Sequence, residues 1–219
     1  MSTTCNGRFL MNRYLFILSC LMGFWTQEGL AQSGPDYQLR IPAHFQLVTH
    51  GNEGTKGQFG LAGWAILPNV MAPNNHTAVL VVGGVLWRQS SGRSWIEFMG
   101  GNRLNQNGYV DPLVNIRFAH NHYQSFNLYG EMGHFFRVKE RRSYVMIAVD
   151  APLLAVGKSG LRVGVESENT YFPAKPTSWG IGPRVVIKFS PKVSLATAYQ
   201  CFRTDRAFVR TYITATFAR

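Results

Sequence analysis

Apolar and polar residues alternate with a period of two over most of the chain beyond residue 57. In the segment 207–217, Val209 and Ile213 share one face, whereas Arg210 and Tyr212 share the other. Successive side chains of a β-strand point to opposite sides, so this alternation predicts strands with one apolar and one mixed polar face. No stretch of this region sustains the 3.6-residue period of an amphipathic helix.

Turn-forming residues divide this region into strand-sized segments. Examples are Ser90-Ser91-Gly92, Gly157-Lys158-Ser159-Gly160 and Ser190-Pro191-Lys192. Such clusters between alternating runs are typical of β-turns. Ten strands are predicted, at about 58–67, 77–88, 94–101, 109–118, 126–137, 143–150, 161–169, 179–189, 193–203 and 207–217. The fold class is therefore all-β, an antiparallel up-and-down β-barrel of about ten strands, with eight or twelve as alternatives.

The faces of these strands favour a transmembrane barrel over a soluble sandwich, in which the apolar face would point inward. The polar faces mix Gly, Tyr and Met with their charges, which is typical of a narrow lumen. Aromatic residues stand at the ends of the apolar faces, as in the girdles of outer-membrane barrels. These residues are Phe118, Phe126, Phe136, Trp179, Phe189 and Phe217. The segments 58–67 and 77–88 are apolar on both faces, so their orientation stays open.

The first 31 residues have the three-part pattern of a secretory signal peptide. Arg8 and Arg13 precede an apolar run of eleven residues, 14–24, and Gly29-Leu30-Ala31 offers a cleavage site. The run is shorter than the ~20 residues that a membrane-spanning helix needs. Two alternatives are a buried N-terminal helix and a lipoprotein acylated at Cys20.

The predicted organisation has three parts. Residues 1–31 form the signal peptide, which begins at Met1 or Met11. Residues 32–56 form a periplasmic lead or an extra strand, because 37–41 also alternates, and 57–219 form the barrel. Cleavage would leave Cys201 as the last cysteine, so the mature fold would hold together without an intramolecular disulfide.

Composition and charge limit the classes of molecule that the protein could bind. Apolar residues make up 46% and charged residues 15% of the chain, which excludes a disordered protein. The net charge of +11 suits anionic lipid, lipopolysaccharide phosphates or nucleic acid. Export and the absence of any nucleic-acid motif exclude nucleic acid, so we expect outer-membrane lipid and lipopolysaccharide as partners.

The C-terminal stretch from Gly182-Pro183-Arg184 to Phe217 resembles the final strands of bacterial outer-membrane β-barrels. The resemblance implies a location in the bacterial outer membrane. It also implies that Phe217 is the terminal aromatic residue that the barrel-assembly machinery recognises. The sequence departs from the pattern where Ala218 and Arg219 follow that residue.

The predicted lumen face gathers six acidic and six basic residues. Charges in a confined interior are costly unless they are paired. We therefore expect a salt-bridged lumen that holds the barrel shut. The alternatives are a small polar pore or proton path, and a carboxylate pair for acid–base catalysis, although no spacing singles out such a pair. The set comprises Glu97, Asp111, Arg117, Glu131, Arg137, Asp150, Arg162, Glu166, Glu168, Arg184, Lys188 and Arg210.

No catalytic, metal or cofactor site is predicted. His120, His122 and His134 are interpreted as turn and interface residues rather than metal ligands. Lipid A deacylases of this size carry a His-x-Ser arrangement that this chain lacks, and the nearest grouping is His122, Ser125 and Glu131.

The predicted function is an integral outer-membrane barrel with a structural or minor-permeability role. The outward loops would be short, at about 68–76, 102–108, 138–142, 170–178 and 204–206, which favours a modest role over that of an adhesin. The alternatives are a lipid A-modifying enzyme and a soluble secreted barrel of the calycin kind that binds a ligand.

Overall fold

The computed structural model describes most of the chain beyond the predicted signal peptide. The described residues are 36–48, 57–67, 79–104, 109–122, 125–137, 141–173, 175–202 and 207–218. The predicted signal peptide, 1–31, lies outside them. Among the described residues, no helix is long and apolar enough to cross a membrane.

Within the described residues, eleven β-strands form a closed barrel, which confirms the all-β class. Their bounds are β1 (Asp36–Val48), β2 (Gly57–Leu67), β3 (Val79–Gln89), β4 (Ser94–Leu104), β5 (Val110–His122), β6 (Phe126–Phe135), β7 (Arg142–Val156), β8 (Ser159–Phe172), β9 (Lys175–Lys188), β10 (Val193–Phe202) and β11 (Ala207–Ala218). The count is one more than the predicted ten, because β1 occupies much of the region 32–56, which the sequence left as a lead or an extra strand.

Ten of the strand pairs are antiparallel neighbours in sequence, and the barrel closes where β1 pairs with β11. This closing pair is parallel, with Leu39 opposite Thr211 and Ala43 opposite Ala215. In an up-and-down chain the first and last of an odd number of strands run the same way. The expectation of a fully antiparallel barrel is therefore wrong at this one pair.

The two ends of the barrel differ in their connections. We call turn end the one at which 49–56, 90–93, 123–125, 157–158 and 189–192 connect the strands, four of these five connections having two to four residues. Gly92 and Gly157 have φ of 69° and 57° there, a left-handed conformation that glycine adopts without a steric penalty and that tight hairpins require. We call loop end the opposite one, where 68–78 joins β2 to β3.

Burial follows the period-two alternation. On β9, Val185 and Ile187 point outward and are exposed, whereas Arg184 and Val186 between them point inward. The inward faces of the five neighbouring strands β2 to β6 contribute an apolar cluster that lines one side of the barrel interior. It consists of Trp64, Val82, Met99, Leu113 and Phe135. This cluster fixes the orientation of β2 and β3, because packing decides which of their two apolar faces turns inward.

Large aromatic side chains ring the outside of the barrel near both ends. At the turn end they include Phe45 and Phe217, whose rings stack with centroids 5.2 Å apart across the β1–β11 pair. The others exposed at that end are Phe59, Phe126 and Phe189. Those exposed near the loop end are Tyr109, Phe136, Tyr171 and Trp179.

Candidate functional site in the barrel interior

The barrel encloses a cavity of about 650 Å³ along its length. Its walls include turn residues such as Lys192 at the turn end, and Arg103 and Arg142 towards the loop end. Many polar side chains of the interior belong to three groups, each built around buried carboxylates.

Glu97 on β4 is the centre of the first group and is completely buried. Its Oε1 lies 2.7 Å from His44 Nε2 and accepts a 2.8 Å hydrogen bond from Gln46 Nε2. Its Oε2 accepts a 2.7 Å bond from Trp64 Nε1. The His44 ring stacks on Trp64 with centroids 3.8 Å apart, so the carboxylate is held by packed rings of β1 and β2.

Arg117 on β5 joins this group to the second. Its guanidinium carbon lies 4.2 Å from the centroid of the Trp64 ring, which is cation–π geometry. Its Nη2 donates a 2.9 Å bond to Glu131 Oε1, and its Nε donates to Asn115. Arg117 and Glu131 are direct partners in the β5–β6 register. With 1% of its surface exposed, Arg117 keeps its charge through these contacts rather than through water.

Glu131 on β6 is the centre of the second group. Besides Arg117, its carboxylate accepts a 2.6 Å bond from the Tyr144 hydroxyl and a 3.2 Å bond from the Tyr129 hydroxyl. Asn115 Nδ2 donates to Tyr144 at 2.7 Å and to Glu131 at 3.3 Å. Both carboxylate oxygens are therefore engaged by side chains of β5, β6 and β7.

Glu166 on β8 is the centre of the third group and is also completely buried. Arg184 Nη1 donates to its Oε2, while Gln200 Nε2 and the Tyr212 hydroxyl donate to its Oε1 at 2.6 and 3.1 Å. Glu166 stands opposite Gly182 in the β8–β9 register, and a Cβ at Gly182 would meet the backbone carbonyl oxygen of Tyr199 on β10.

Two further carboxylates complete the third group. Glu168 pairs with Arg210, and Arg40 of β1 lies 4.0 Å from its other oxygen. Asp150 pairs with Arg162, and Arg184 lies 4.0 Å from it. These ion pairs tie β7, β8, β9, β11 and β1 together across the barrel.

Of the twelve residues expected on the lumen face, nine belong to the three groups, and Asp111, Arg137 and Lys188 lie elsewhere. Asp111 pairs with Arg103 at 2.7 Å on the inward side towards the loop end. Arg137 lies two residues beyond β6, with its guanidinium 4.3 Å from the Tyr109 ring centroid. Lys188 lies exposed at the end of β9, where it borders the cavity. The other nine are the carboxylates and arginines of the three groups.

Sequence reasoning missed several interior residues. Arg40, His44 and Gln46 all lie on one face of β1. Arg40 falls inside the alternating stretch 37–41 but was not counted with the barrel, and the alternation was not carried on to His44 and Gln46. Arg103 continues the inward parity of Glu97 beyond the predicted end of its strand. Continuing the period-two pattern beyond residue 41 and beyond residue 101 would have placed His44, Gln46 and Arg103 inside the barrel.

The structure also shows where the histidines and the His122–Ser125–Glu131 grouping lie. The Nδ1 atoms of His120 and His134 lie 2.7 and 2.9 Å from the hydroxyls of Ser94 and Ser143. Within the described chain, no three His, Cys, Asp or Glu side chains converge as metal ligands. The Ser125 amide donates to the His122 carbonyl at the turn end, whereas Glu131 lies inside the barrel, bound by Arg117.

Comparison with known proteins assigns no family to the chain. No protein-family model, curated protein or solved structure gives a significant match. The contrast between the outer surface and the interior of the barrel is therefore the basis on which a function is proposed.

Proposed function

We propose that this protein is an integral barrel of the bacterial outer membrane with a structural or minor-permeability role. The single observation that carries the proposal is the inverted distribution of polarity. Large apolar side chains are exposed around the outside, and ionised groups are buried inside.

The outer surface is the first support. On β2, β3 and β9, Leu61, Val85 and Ile181 are each more than half exposed and point outward. Equivalent exposed side chains lie on β1, β4, β5, β7 and β11, and include Phe45, Phe98, Val114, Ile147 and Ile213. Soluble monomers rarely expose continuous apolar patches larger than a few hundred Å², because water penalises them. Lipid acyl chains remove that penalty.

The height of the apolar surface is the second support. Trp179 and Phe189 are ten residues apart and mark its two edges on β9 and the turn that follows it. At ~3.4 Å per residue this separation is ~34 Å along the strand. A tilt of ~45° reduces it to ~24 Å along the barrel axis, close to the ~25 Å apolar band of outer-membrane barrels.

The interior is the third support. Buried charges are tolerated where good geometry and additional hydrogen bonds compensate the loss of hydration. Glu97, Glu131 and Glu166 each accept at least three side-chain hydrogen bonds. Such a cross-linked interior favours a rigid, largely closed barrel over a wide pore.

The alternatives fit less well. A soluble calycin-like barrel would point its apolar side chains inward and its charges towards water, the reverse of this arrangement. A lipid A-modifying enzyme would need a nucleophile with a base and an acid, and Glu131, the acid of the predicted grouping, is bound inside by Arg117.

In the proposed orientation the turn end faces the periplasm, since periplasmic turns of these barrels are short and four of the five connections at that end have two to four residues. Because β1 begins at the loop end, it enters the barrel from the outer face in this orientation, unlike the periplasmic lead that the sequence suggested. Phe217 lies near the turn end, where the assembly machinery would recognise the last strand. Lipopolysaccharide is the proposed outer-leaflet partner, consistent with the net charge of +11.

Membrane fractionation followed by a heat-modifiability gel tests the proposal. Folded outer-membrane barrels resist detergent and change mobility only after boiling. We expect the full-length protein in the outer-membrane fraction, with a boiled band shifted from the unboiled one. Recovery of the folded protein in the soluble periplasmic fraction would overturn the proposal.

A further inference from the structure

We propose that the interior cavity, in its half near the turn end, binds small uncharged solutes rich in hydroxyl groups, that is, sugars or polyols. This inference names a class of solute for the minor-permeability role and rests on the proposed function for its membrane setting. It is carried by hydroxyl groups and a tryptophan ring on the cavity wall, whose polar side-chain atoms take no part in the hydrogen bonding of the barrel.

Three hydroxyl side chains line the cavity on neighbouring strands near the turn end. Ser194 on β10 stands opposite Thr214 on β11, and Thr216 follows on the same inward face of β11. We call these three residues the hydroxyl patch. Among the described residues, none of the three hydroxyl groups has a hydrogen-bond partner. Each can both donate and accept, so the patch offers paired donors and acceptors to a ligand.

Strand β1 extends this wall with a fixed amide. His44 stands opposite Thr216 in the β1–β11 register, and Gln46 follows on the same face, where it also lines the cavity. Gln46 Nε2 donates to Glu97 Oε1 at 2.8 Å. Because an ionised carboxylate only accepts, this bond fixes the orientation of the amide and leaves Oε1 as an acceptor. A polar group that is already ordered costs less entropy when a ligand binds to it.

Trp95 on β4 provides an aromatic surface beside the hydroxyl patch. Its ring centroid lies 5.5 Å from that of His44 and 6.3 Å from that of Tyr129, and it lines the cavity. Within the described part of the chain, its indole N–H has no hydrogen-bond acceptor. An indole combines an apolar face with a single donor. A sugar is complementary to it, because the ring C–H groups of a sugar form an apolar face edged by hydroxyls.

Charges near the hydroxyl patch favour an uncharged ligand. Glu97 is already engaged by the contacts described above, and Asp150 pairs with Arg162. Lys188 and Lys192 border the cavity, but both are exposed, so water hydrates their charges. The groups that remain for a ligand on this wall are neutral. Removing a neutral hydroxyl group from water costs much less free energy than removing an ion.

The size of the cavity is compatible with a ligand of this class. Its volume of about 650 Å³ falls within the ~300–1,000 Å³ range of small-molecule sites. Such sites combine aromatic walls with a few placed polar groups, as Trp95 and the hydroxyl patch do here.

Saturation-transfer difference NMR with maltose tests the inference, using the full chain folded in micelles of octyl tetraoxyethylene, a detergent without a sugar headgroup. We expect saturable binding to the wild type. Thr214→Val with Thr216→Val keeps nearly the same shape and removes two hydroxyls. It should weaken maltose binding about fivefold or more, since each neutral hydrogen bond contributes a factor of about 2–10.

Thr170→Val is the matched control. Thr170 also lines the cavity, but it lies near the loop end of β8, away from the hydroxyl patch, so its substitution should leave the affinity unchanged. Two measurements use the wild type alone. Added NaCl should not weaken maltose binding, because a neutral ligand is not held by charge, and inorganic phosphate should not compete with maltose.

Four results would overturn the inference. These are no saturable maltose signal from the folded wild type, an affinity that the threonine pair does not alter, an equal loss in Thr170→Val, and competition by phosphate. A heat-modifiable membrane protein that does not bind maltose would refute only this inference. A soluble periplasmic protein that binds maltose through Thr214 and Thr216 would refute only the membrane proposal.

Discussion

Replacing Glu166 with glutamine should destabilise the folded barrel strongly. Glu166 is completely buried and receives hydrogen bonds from Arg184, Gln200 and Tyr212. Glutamine has nearly the same shape, so Glu166→Gln removes the charge with little change in packing. The amide can accept at its oxygen, but its nitrogen would face the Arg184 guanidinium, which is also a donor.

The loss in the free energy of unfolding depends on how much negative charge remains near Arg184 after the substitution. Breaking a buried ion pair typically costs about 3–5 kcal/mol, because the remaining charge is uncompensated. Asp150 lies 4.0 Å from Arg184 and compensates part of this loss. We therefore expect a decrease of about 3 kcal/mol in the free energy of unfolding, near the lower limit of that range.

Urea unfolding in lipid vesicles, followed by tryptophan fluorescence, measures this change. Lys158→Gln serves as the control, since an exposed turn residue should change stability by less than ~0.5 kcal/mol. Arg184→Gln should also destabilise the barrel. The double variant should cost less than the sum by at least about 1 kcal/mol, because the two residues are in contact. A Glu166→Gln protein as stable as the wild type, or strictly additive costs, would refute the ion-pair reasoning.

Two further substitutions test the outer surface and the close approach of the strands. Val185→Arg, near the middle of the apolar face of β9, should cost about 2–4 kcal/mol in vesicles, whereas Val193→Arg, at the turn-end edge of β10, should cost at most about 1 kcal/mol. Equal costs would contradict the membrane orientation. Gly182→Ala should cost about 1–3 kcal/mol, because its Cβ would meet a backbone carbonyl oxygen of β10. Gly100→Ala, whose Cβ would have its nearest neighbour 4.0 Å away, should leave the urea midpoint unchanged, and an equal loss in both would contradict the packing argument.

The strands and their faces could be predicted well where one face is apolar and the other polar. On β9 and β11, the alternation of Val185 with Arg184, and of Val209 with Arg210, indicated which side chains point inward. β2 and β3 could not be oriented in this way, because they are apolar on both faces. Their orientation depends on Trp64 and Val82 packing against Met99 on a neighbouring strand.

The number of strands could not be predicted from the local alternation of residues either. Closure of a barrel depends on the geometry of all strands together, so no single segment reveals whether β1 joins the sheet. Its alternation over 37–41 was compatible with a lead or a strand. The parallel contact with β11 follows only once eleven strands close the ring.

By itself, the sequence determined the period of the backbone, the sides on which charged residues lie and the cost of leaving those charges unpaired. Only the tertiary structure decided which charged and polar side chains pair with one another. Glu97 and Arg117 stand opposite each other in the β4–β5 register, yet Glu97 is bound by His44 and Trp64, and Arg117 by Glu131. Arg117 has an acidic partner in register on each side and is bound by Glu131 of β6, whereas Glu97 is bound from β1 and β2, which are not adjacent to β4 in the sheet. The contacts of Glu97 therefore depend on the curvature and closure of the barrel, which no local pattern in the sequence reveals.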